Sequence, residues 1–271
     1  MQQKVKSASR TLEVLELFME VRRPLRLNEI YTVLGYPQSS ATNLLKSMVM
    51  MGYLNYNRAT MTYIPTMRVA ALGSWIPSSI NREGGLVTLV EEIQRRTDET
   101  VGIAAQHDLY IQYIILKTPT HEFKVPPPEG TMRLMVDSSC GVALMSRMRQ
   151  REIDKIYRYS RYYGIGGGAL PSLEELLREV RWTRDMGYAY VPKRPTPQLS
   201  AIAMPLDETL YGIPLAIGVG GLADRISSKR QHILAAMKEC IATYKARNQE
   251  SSGADLADGV SRDAPQIPVT A

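Results

Sequence analysis

The stretch LNEIYTVLGYPQSSATNLLKSMVMMGYL, from Leu27 to Leu54, holds two short helical patterns on either side of a Gly-Tyr-Pro break. Leu27, Ile30 and Leu34 recur at the spacing of one helical face. Gly35 is the residue type that most readily takes the left-handed conformation closing a helix. Pro37 suits the first turn of the next helix, where a missing N–H costs nothing. In that helix Ala41, Leu44, Leu45 and Met48 form an apolar stripe that must pack inward. The other face is crowded with Gln38, Ser39, Ser40, Thr42, Asn43 and Lys46. Ser, Thr and Asn are mediocre helix formers, so their concentration on an exposed helix asks for a role beyond stability. Short polar side chains fit a DNA major groove, where base edges and phosphates offer hydrogen bonds; a plain solvated face is the competing reading.

The flanking sequence favours DNA. Upstream, Leu12, Leu15 and Phe18 or Met19 recur at helical spacing, with Ser7 or Ser9 as the expected cap and an end before Pro24. Downstream, GYLNYNRATMTYIP alternates as two strands, Leu54 to Tyr56 and Thr62 to Ile64, around a polar turn at Asn57 to Thr60. Three helices and a hairpin make a winged helix-turn-helix. Arg58 falls at the wing tip, in reach of a minor groove or a phosphate, and Arg10 or Lys6 is placed for phosphates. Residues 1–70 hold nine Lys/Arg against four Glu, so they carry five of the six net positive charges. That asymmetry suits a polyanion. Use of the winged helix as a protein-docking module stays open.

A chain of 271 residues, 44% hydrophobic and 22% charged, is long enough for about two globular domains. No apolar run approaches the roughly 20 residues of a membrane span, and MQQKVKSASR lacks the apolar core of a secretory signal. A cytoplasmic protein with no membrane partner is expected. Cys140 and Cys240 stand apart, and His107, His121 and His232 are scattered, so neither a disulfide framework nor a metal site is expected. GIGGGAL (164–170) lacks the spacing and the following Lys-Ser/Thr of a phosphate loop. Asp137-Ser138-Ser139-Cys140 has no histidine placed to activate a nucleophile. No enzyme and no cofactor are expected.

Beyond the wing, Ala70 to Trp75 reads as the end of a helix and Leu86 to Arg96 as an amphipathic one. Thr100 to Gln106 and Tyr110 to Leu116 read as strands. A capping box at Ser172 to Glu175 opens a helix to Met186 that Gly187 stops. Ser200 to Pro205 and Leu215 to Val219 read as strands, and Lys229 to Lys245 as a closing helix. From Asn248 onward too little apolar surface remains to pack, so a disordered tail is expected. The expected division is a winged helix-turn-helix over 1–67, a linker helix and connector over 68–84, an effector-binding and oligomerisation domain over 85–247, and the tail over 248–271.

The chain resembles the IclR family of bacterial transcriptional regulators. The resemblance lies in S-x-x-R at Ser7 to Arg10, T-L-E-V-L-E, the L-x-x-x-E-I-x-x-x-L-G-x-P turn, L-L-K-S-M with G-Y-L, Tyr63 and Leu72-Gly73. It continues through T-D-E-T-V at Thr97 to Val101, Gly141 with Ala143-Leu144, L-x-E-V-R-x-x-R-D-x-G-Y-A ending at Ala189, and A-M-P-L at Ala203 to Leu206. It implies an α+β protein: a winged helix-turn-helix, a linker helix and a GAF-like α/β effector domain with a curved antiparallel sheet. It also implies operator binding as a homodimer or dimer of dimers, under the control of a small molecule.

The effector site implied by the resemblance falls on Leu134, Met135, Val136, Ser138, Ser139, Val191, Ala201, Gly218 and Gly220. Here the chain departs from the family's pattern. Leu134 replaces a proline, Val136 a histidine, Val142 a lysine, Ala201 a cysteine, and Gly218 and Gly220 two serines, while an acidic residue is replaced around Val191. Those polar groups hold small carboxylates in better-known members. Their loss leads us to expect an effector larger or more apolar than a small keto acid, aromatic compounds being natural candidates, held by backbone and by Ser138 or Ser139. A degenerate pocket that binds nothing is the alternative.

Overall fold

A computed structural model describes residues 5–74, 85–119, 131–163, 170–194 and 196–257, and the side chains of these up to residue 248. The chain divides into two compact units, Met1–Ser79 and Ile80–Ala271. The GIGGG run, His121 and the segment from Trp75 to Gly84 lie outside the described residues.

The first unit is built from α1 (Lys6–Val21), β1 (Leu25–Arg26), α2 (Leu27–Leu34), α3 (Gln38–Met50), β2 (Leu54–Asn57), β3 (Thr62–Pro65) and α4 (Met67–Gly73). Gly35 ends α2 at φ +67°, as its side-chain-free backbone allows. The Glu29 carboxylate accepts from the Arg26 backbone N–H at 2.8 Å at the start of α2 and pairs with Arg23 at 2.8 Å. Ile30, Ala41, Leu45 and Met48 are fully buried, and Ile30, Leu45 and Met48 meet Val14, Leu17 and Phe18 of α1 in one core. The hairpin gains a third strand that the sequence does not announce: β1 pairs antiparallel with β3, giving the order β1-β3-β2.

Two expectations for α1 are corrected. Its inward face is Val14, Leu17 and Phe18, whereas Leu12 and Met19 are 59% and 65% exposed. The heptad spacing of Leu12 and Met19 marks a second, outward apolar stripe that periodicity alone cannot tell from the core face. The helix begins after Val5 with no side-chain cap, and the Ser7 carbonyl instead accepts from the Thr11 hydroxyl at 3.0 Å.

The second unit contains α5 (Leu86–Thr97), β4 (Thr100–His107), β5 (Tyr110–Lys117), β6 (Met132–Leu134), a 3-10 turn at Met135–Asp137, α6 (Ser139–Met145), α7 (Gln150–Tyr163), α8 (Leu173–Met186), β7 (Ala189–Pro192), β8 (Leu199–Leu210), β9 (Ile213–Leu222), α9 (Ala223–Ser228) and α10 (Arg230–Ala257). Its six strands form one antiparallel sheet, curled as a half-barrel, in the order β6-β5-β4-β9-β8-β7. The closing helix continues past Asn248 to Ala257, so the expected tail is helical over its first ten residues; residues 258–271 lie outside the description. α7, β6 and β7 are elements that the sequence reading does not assign.

The pleat sorts residues by size. Val101, Ile103, Ile202, Met204, Leu206, Leu215, Ile217 and Val219 pack on one face beneath α5 and α10. Alternate positions hold Gly102, Ala104, Ala201, Ala203, Ala216, Gly218 and Gly220. Period-two alternation places these on the opposite face, towards α6 and α8. Small residues on that face leave room beneath the helices. Among the described residues no helix is long and apolar enough to cross a membrane.

Candidate functional sites: a polar helix face and a cavity under the sheet

On α3, the direction opposite Ala41, Leu45 and Met48 is occupied by exposed Ser39, Asn43, Lys46 and Met50, the last 87% exposed. Gln38 is exposed at the first turn, while Ser40 and Thr42 are half-buried on the flanks. The Thr42 hydroxyl donates to the Gln38 carbonyl at 2.8 Å, and the Ser47 hydroxyl to the Asn43 carbonyl at 2.9 Å. Thr42 is therefore the weakest candidate donor of the set, its proton being spent within the helix.

At the hairpin tip the Asn57 side-chain oxygen accepts from the backbone N–H groups of Ala59 and Thr60 at 2.9 and 3.3 Å, shaping a turn that holds Arg58 exposed. Lys6 is exposed at the start of α1. Arg10, one turn on, is only half-exposed, because its guanidinium lies over the Tyr36 ring, 4.7 Å from the centroid. The Tyr36 hydroxyl donates to Glu13, and burial together with that carboxylate pushes the phenol up to about 12. Arg10 and Glu13 thereby fasten α1 to the α2–α3 turn, a structural use that the sequence reading does not anticipate.

In the second unit a cavity of about 90 Å³ opens under the small-residue face. That is room for about six to nine water-sized atoms. Of the expected residues, Ser138, Ser139, Ala201, Gly218 and Gly220 line it. Leu134, Met135, Val136 and Val191 do not: all are at most 8% exposed and belong to the apolar core around α6 and α8. They turn away because the 3-10 turn points Met135 and Val136 into the core, and Val191 faces it from β7.

The two serines are already engaged. Ser138 caps α6, its hydroxyl oxygen accepting from the Gly141 N–H at 3.0 Å, and the Ser139 hydroxyl donates to the Ala201 carbonyl at 2.8 Å. Gly141 is required where α6 crosses the preceding turn, because a Cβ there would stand 2.1 Å from the Met135 carbonyl oxygen. Gly218 lies so close under α6 that a Cβ would stand 2.8 Å from the Cys140 sulfur. Cys140 is a buried free thiol pushed up to about 12 by desolvation.

The cavity also departs from the apolar site expected from sequence. Arg133, Arg194 and Arg225 line it with Tyr113 and Ser200. Arg225 is held by Glu99, fully buried, through contacts of 2.5 and 2.7 Å, and Lys229 joins the same carboxylate at 3.2 Å. Arg194 pairs with Glu179. Burial raises the pKa of the Tyr113 phenol, against the opposing effect of the nearby Arg133. These groups come from loops and strand ends far apart in sequence, and only Glu99 carried a readable signal. An acid entering the apolar strand E-T-V-G-I-A-A requires a counter-charge.

Comparison with known proteins agrees with both units. Residues 7–58 match the IclR helix-turn-helix domain and residues 86–244 the bacterial transcriptional regulator IclR C-terminal domain. The HTH-type transcriptional regulator XynR of Escherichia coli K12 is 23% identical over 82% of this chain and 88% of its own. The transcriptional repressor IclR of the same organism is 23% identical over 89% and 90%. An IclR homolog from Microbacterium hydrocarbonoxydans, crystallised with 4-hydroxybenzoate, shares the fold with a TM-score of 0.63 at 16% identity, covering 88% of this chain and 99% of that one. These relatives are regulators and repressors rather than enzymes. With an N-terminal DNA-binding helix-turn-helix and a C-terminal effector-binding domain, both matched by the family's own models, this chain belongs to the IclR family of bacterial transcriptional regulators.

Proposed function

We propose that the protein reads a specific double-stranded operator through α3 and is controlled by a small aromatic or otherwise apolar effector bound in the cavity beneath the sheet. The observation that carries the first part is the exposed row Ser39, Asn43 and Lys46, flanked by Gln38, Ser40 and Thr42, on a helix whose other side is fully buried. Side chains of this length donate to and accept from base edges, and Lys46 neutralises phosphate. Arg58 in the wing and Lys6 on α1 add backbone contacts, with Arg10 at the edge of the same basic surface. The residue ranges 1–67, 68–84 and 85–247 are the corresponding functional divisions.

For the second part, the cavity has the size of a single substituted ring, and a structural relative was crystallised with 4-hydroxybenzoate. Assembly as a homodimer or dimer of dimers is supported by the outward apolar stripe of Leu12 and Met19, since a monomer gains nothing by exposing them.

The test is binding of the purified protein to fragments of its own upstream intergenic DNA at two salt concentrations, with random DNA as competitor. Selective binding that weakens steeply with salt, and that shifts when aromatic acids are added, is expected. Equal, weak binding to every fragment with and without these acids would remove the proposal.

A further inference from the structure

We propose that Arg133 and Arg194 act as a two-sided anion clamp that makes an oxyanion on the effector, a carboxylate in the simplest case, a condition of binding. The inference rests on the reading of the cavity as an effector site and adds to it what the ligand must carry. Among the described residues three guanidinium groups line the cavity, and no carboxylate does. They are not equivalent. Both Arg225 contacts reported above go to Glu99, and Lys229 shares that carboxylate, so this arginine is committed to the fold.

Arg194 is committed on one side only. One terminal nitrogen donates to Glu179, while the other, Nη1, is buried without an acceptor among the described residues. A buried guanidinium N–H without an acceptor is costly, and it is satisfied best by a charged oxygen. Arg133 lines the same cavity beside Tyr113.

The topology makes the pair informative. Arg133 lies on β6 and Arg194 follows β7, the two edge strands of the six-stranded sheet. In a flat sheet they would be at opposite margins. The curl brings both to one cavity, and Asp137 lies in the field of both guanidinium groups. An anion between them therefore ties the two margins of the sheet together. A neutral ligand of the same shape would leave Nη1 of Arg194 as it is and gain nothing from Arg133. The polar groups that sequence comparison expects in the strands are thus replaced by cations at the sheet edges, from which a carboxylate is held at its rim instead of from β8 and β9.

The experiment is calorimetric titration of the full-length protein with benzoate and 4-hydroxybenzoate, against the neutral probes benzamide and 4-hydroxybenzamide. We expect the acids to bind about tenfold to a hundredfold more tightly than the amides, the range of a hydrogen bond to a charged group. Arg133→Gln should bring that ratio towards one. Removal of Arg194 alone would strand Glu179, so the paired variant Arg194→Gln/Glu179→Gln is used, with the same expectation. Glu179→Gln by itself frees Arg194 of its counter-charge and should tighten the acids and leave the amides unchanged. Amides binding the wild type as well as acids do, or an acid preference that survives in both arginine variants, would overturn the clamp and leave the effector cavity standing. Failure of all four probes to bind would remove the effector reading, and the clamp with it.

Discussion

The exposed face of α3 and the cavity of the second unit are both candidate recognition surfaces, yet they are made in opposite ways. The α3 face is written on thirteen consecutive residues, and helical periodicity alone sorts reader from core. The cavity draws on residues from Thr100 to Arg225 and exists only when strands distant in sequence lie side by side. A locally encoded surface is sensitive to what lies beneath it, whereas a surface assembled across a sheet is sensitive to the ties between its parts.

The sharpest way to break that comparison is Leu45→Ala. Leu45 is fully buried beneath the α3 face, and its truncation should cost about 2–5 kcal/mol. Operator binding and amide protection over residues 5–74 should be lost while protection in β4, β8 and β9 persists. Joint loss in a hydrogen-exchange experiment would show that the two surfaces are not separately held.

Glu99→Gln addresses the other side. Glu99 is fully buried, but Arg225 and Lys229 are partly exposed, so the expected loss is about 2–3 kcal/mol, below the full figure for breaking a buried pair. It should appear as a lower denaturant midpoint of the second unit with operator selectivity intact; an unchanged midpoint would show that the cluster is no tie.

Asn43→Ala tests whether the α3 row discriminates. About 1–3 kcal/mol of selectivity between operator and random DNA should disappear in competition binding, with non-specific affinity retained. Lys46→Gln should instead weaken all DNA evenly and flatten the salt dependence by about one counterion. The reverse pattern would exchange their roles.

The smallest effect expected is a pH dependence. Arg95 and Arg96 hold the Glu92 carboxylate at about 2, below its ordinary 4.5. Because the folded-state value is the lower one, the stabilisation is present above about 4.5 and is lost as pH falls towards 2. The melting-temperature difference between wild type and Glu92→Gln should therefore shrink across that window. The pair is exposed, so the difference should be small.

How much was legible follows the same division. Leu27–Leu34, the helix stop at Gly35, the α8 capping box and the hairpin were readable because each is fixed by neighbours within a few residues. The outward Leu12 and Met19 were misassigned because a helix can carry two apolar stripes, and only packing chooses between them. At the cavity, Ala201, Gly218 and Gly220 were reached by resemblance, and a local signal existed as well. β4, β8 and β9 alternate large aliphatic residues with Gly and Ala, which marks a face with space above it. Arg133 and Arg194 left no such trace. Arg133 sits within the three-residue edge strand β6 and Arg194 just past β7, places where an arginine is unremarkable, and only the curl of the sheet brings both to one cavity. Leu134, Met135, Val136 and Val191 fall outside the cavity for the complementary reason: correspondence along a chain carries position but not the direction of a side chain.

The strand order has a consequence for synthesis. The central seam of the sheet joins β4 to β9, so its two halves leave the ribosome far apart in time. At ordinary elongation rates, about 8–30 s separate completion of β3 at Pro65 from completion of β9 at Leu222. Throughout that interval the helix-turn-helix segment is fully synthesised and the strands that line the cavity are not. On the proposed function, every newly made molecule therefore passes through a window in which the segment that reads DNA has been made and the one that senses the effector has not.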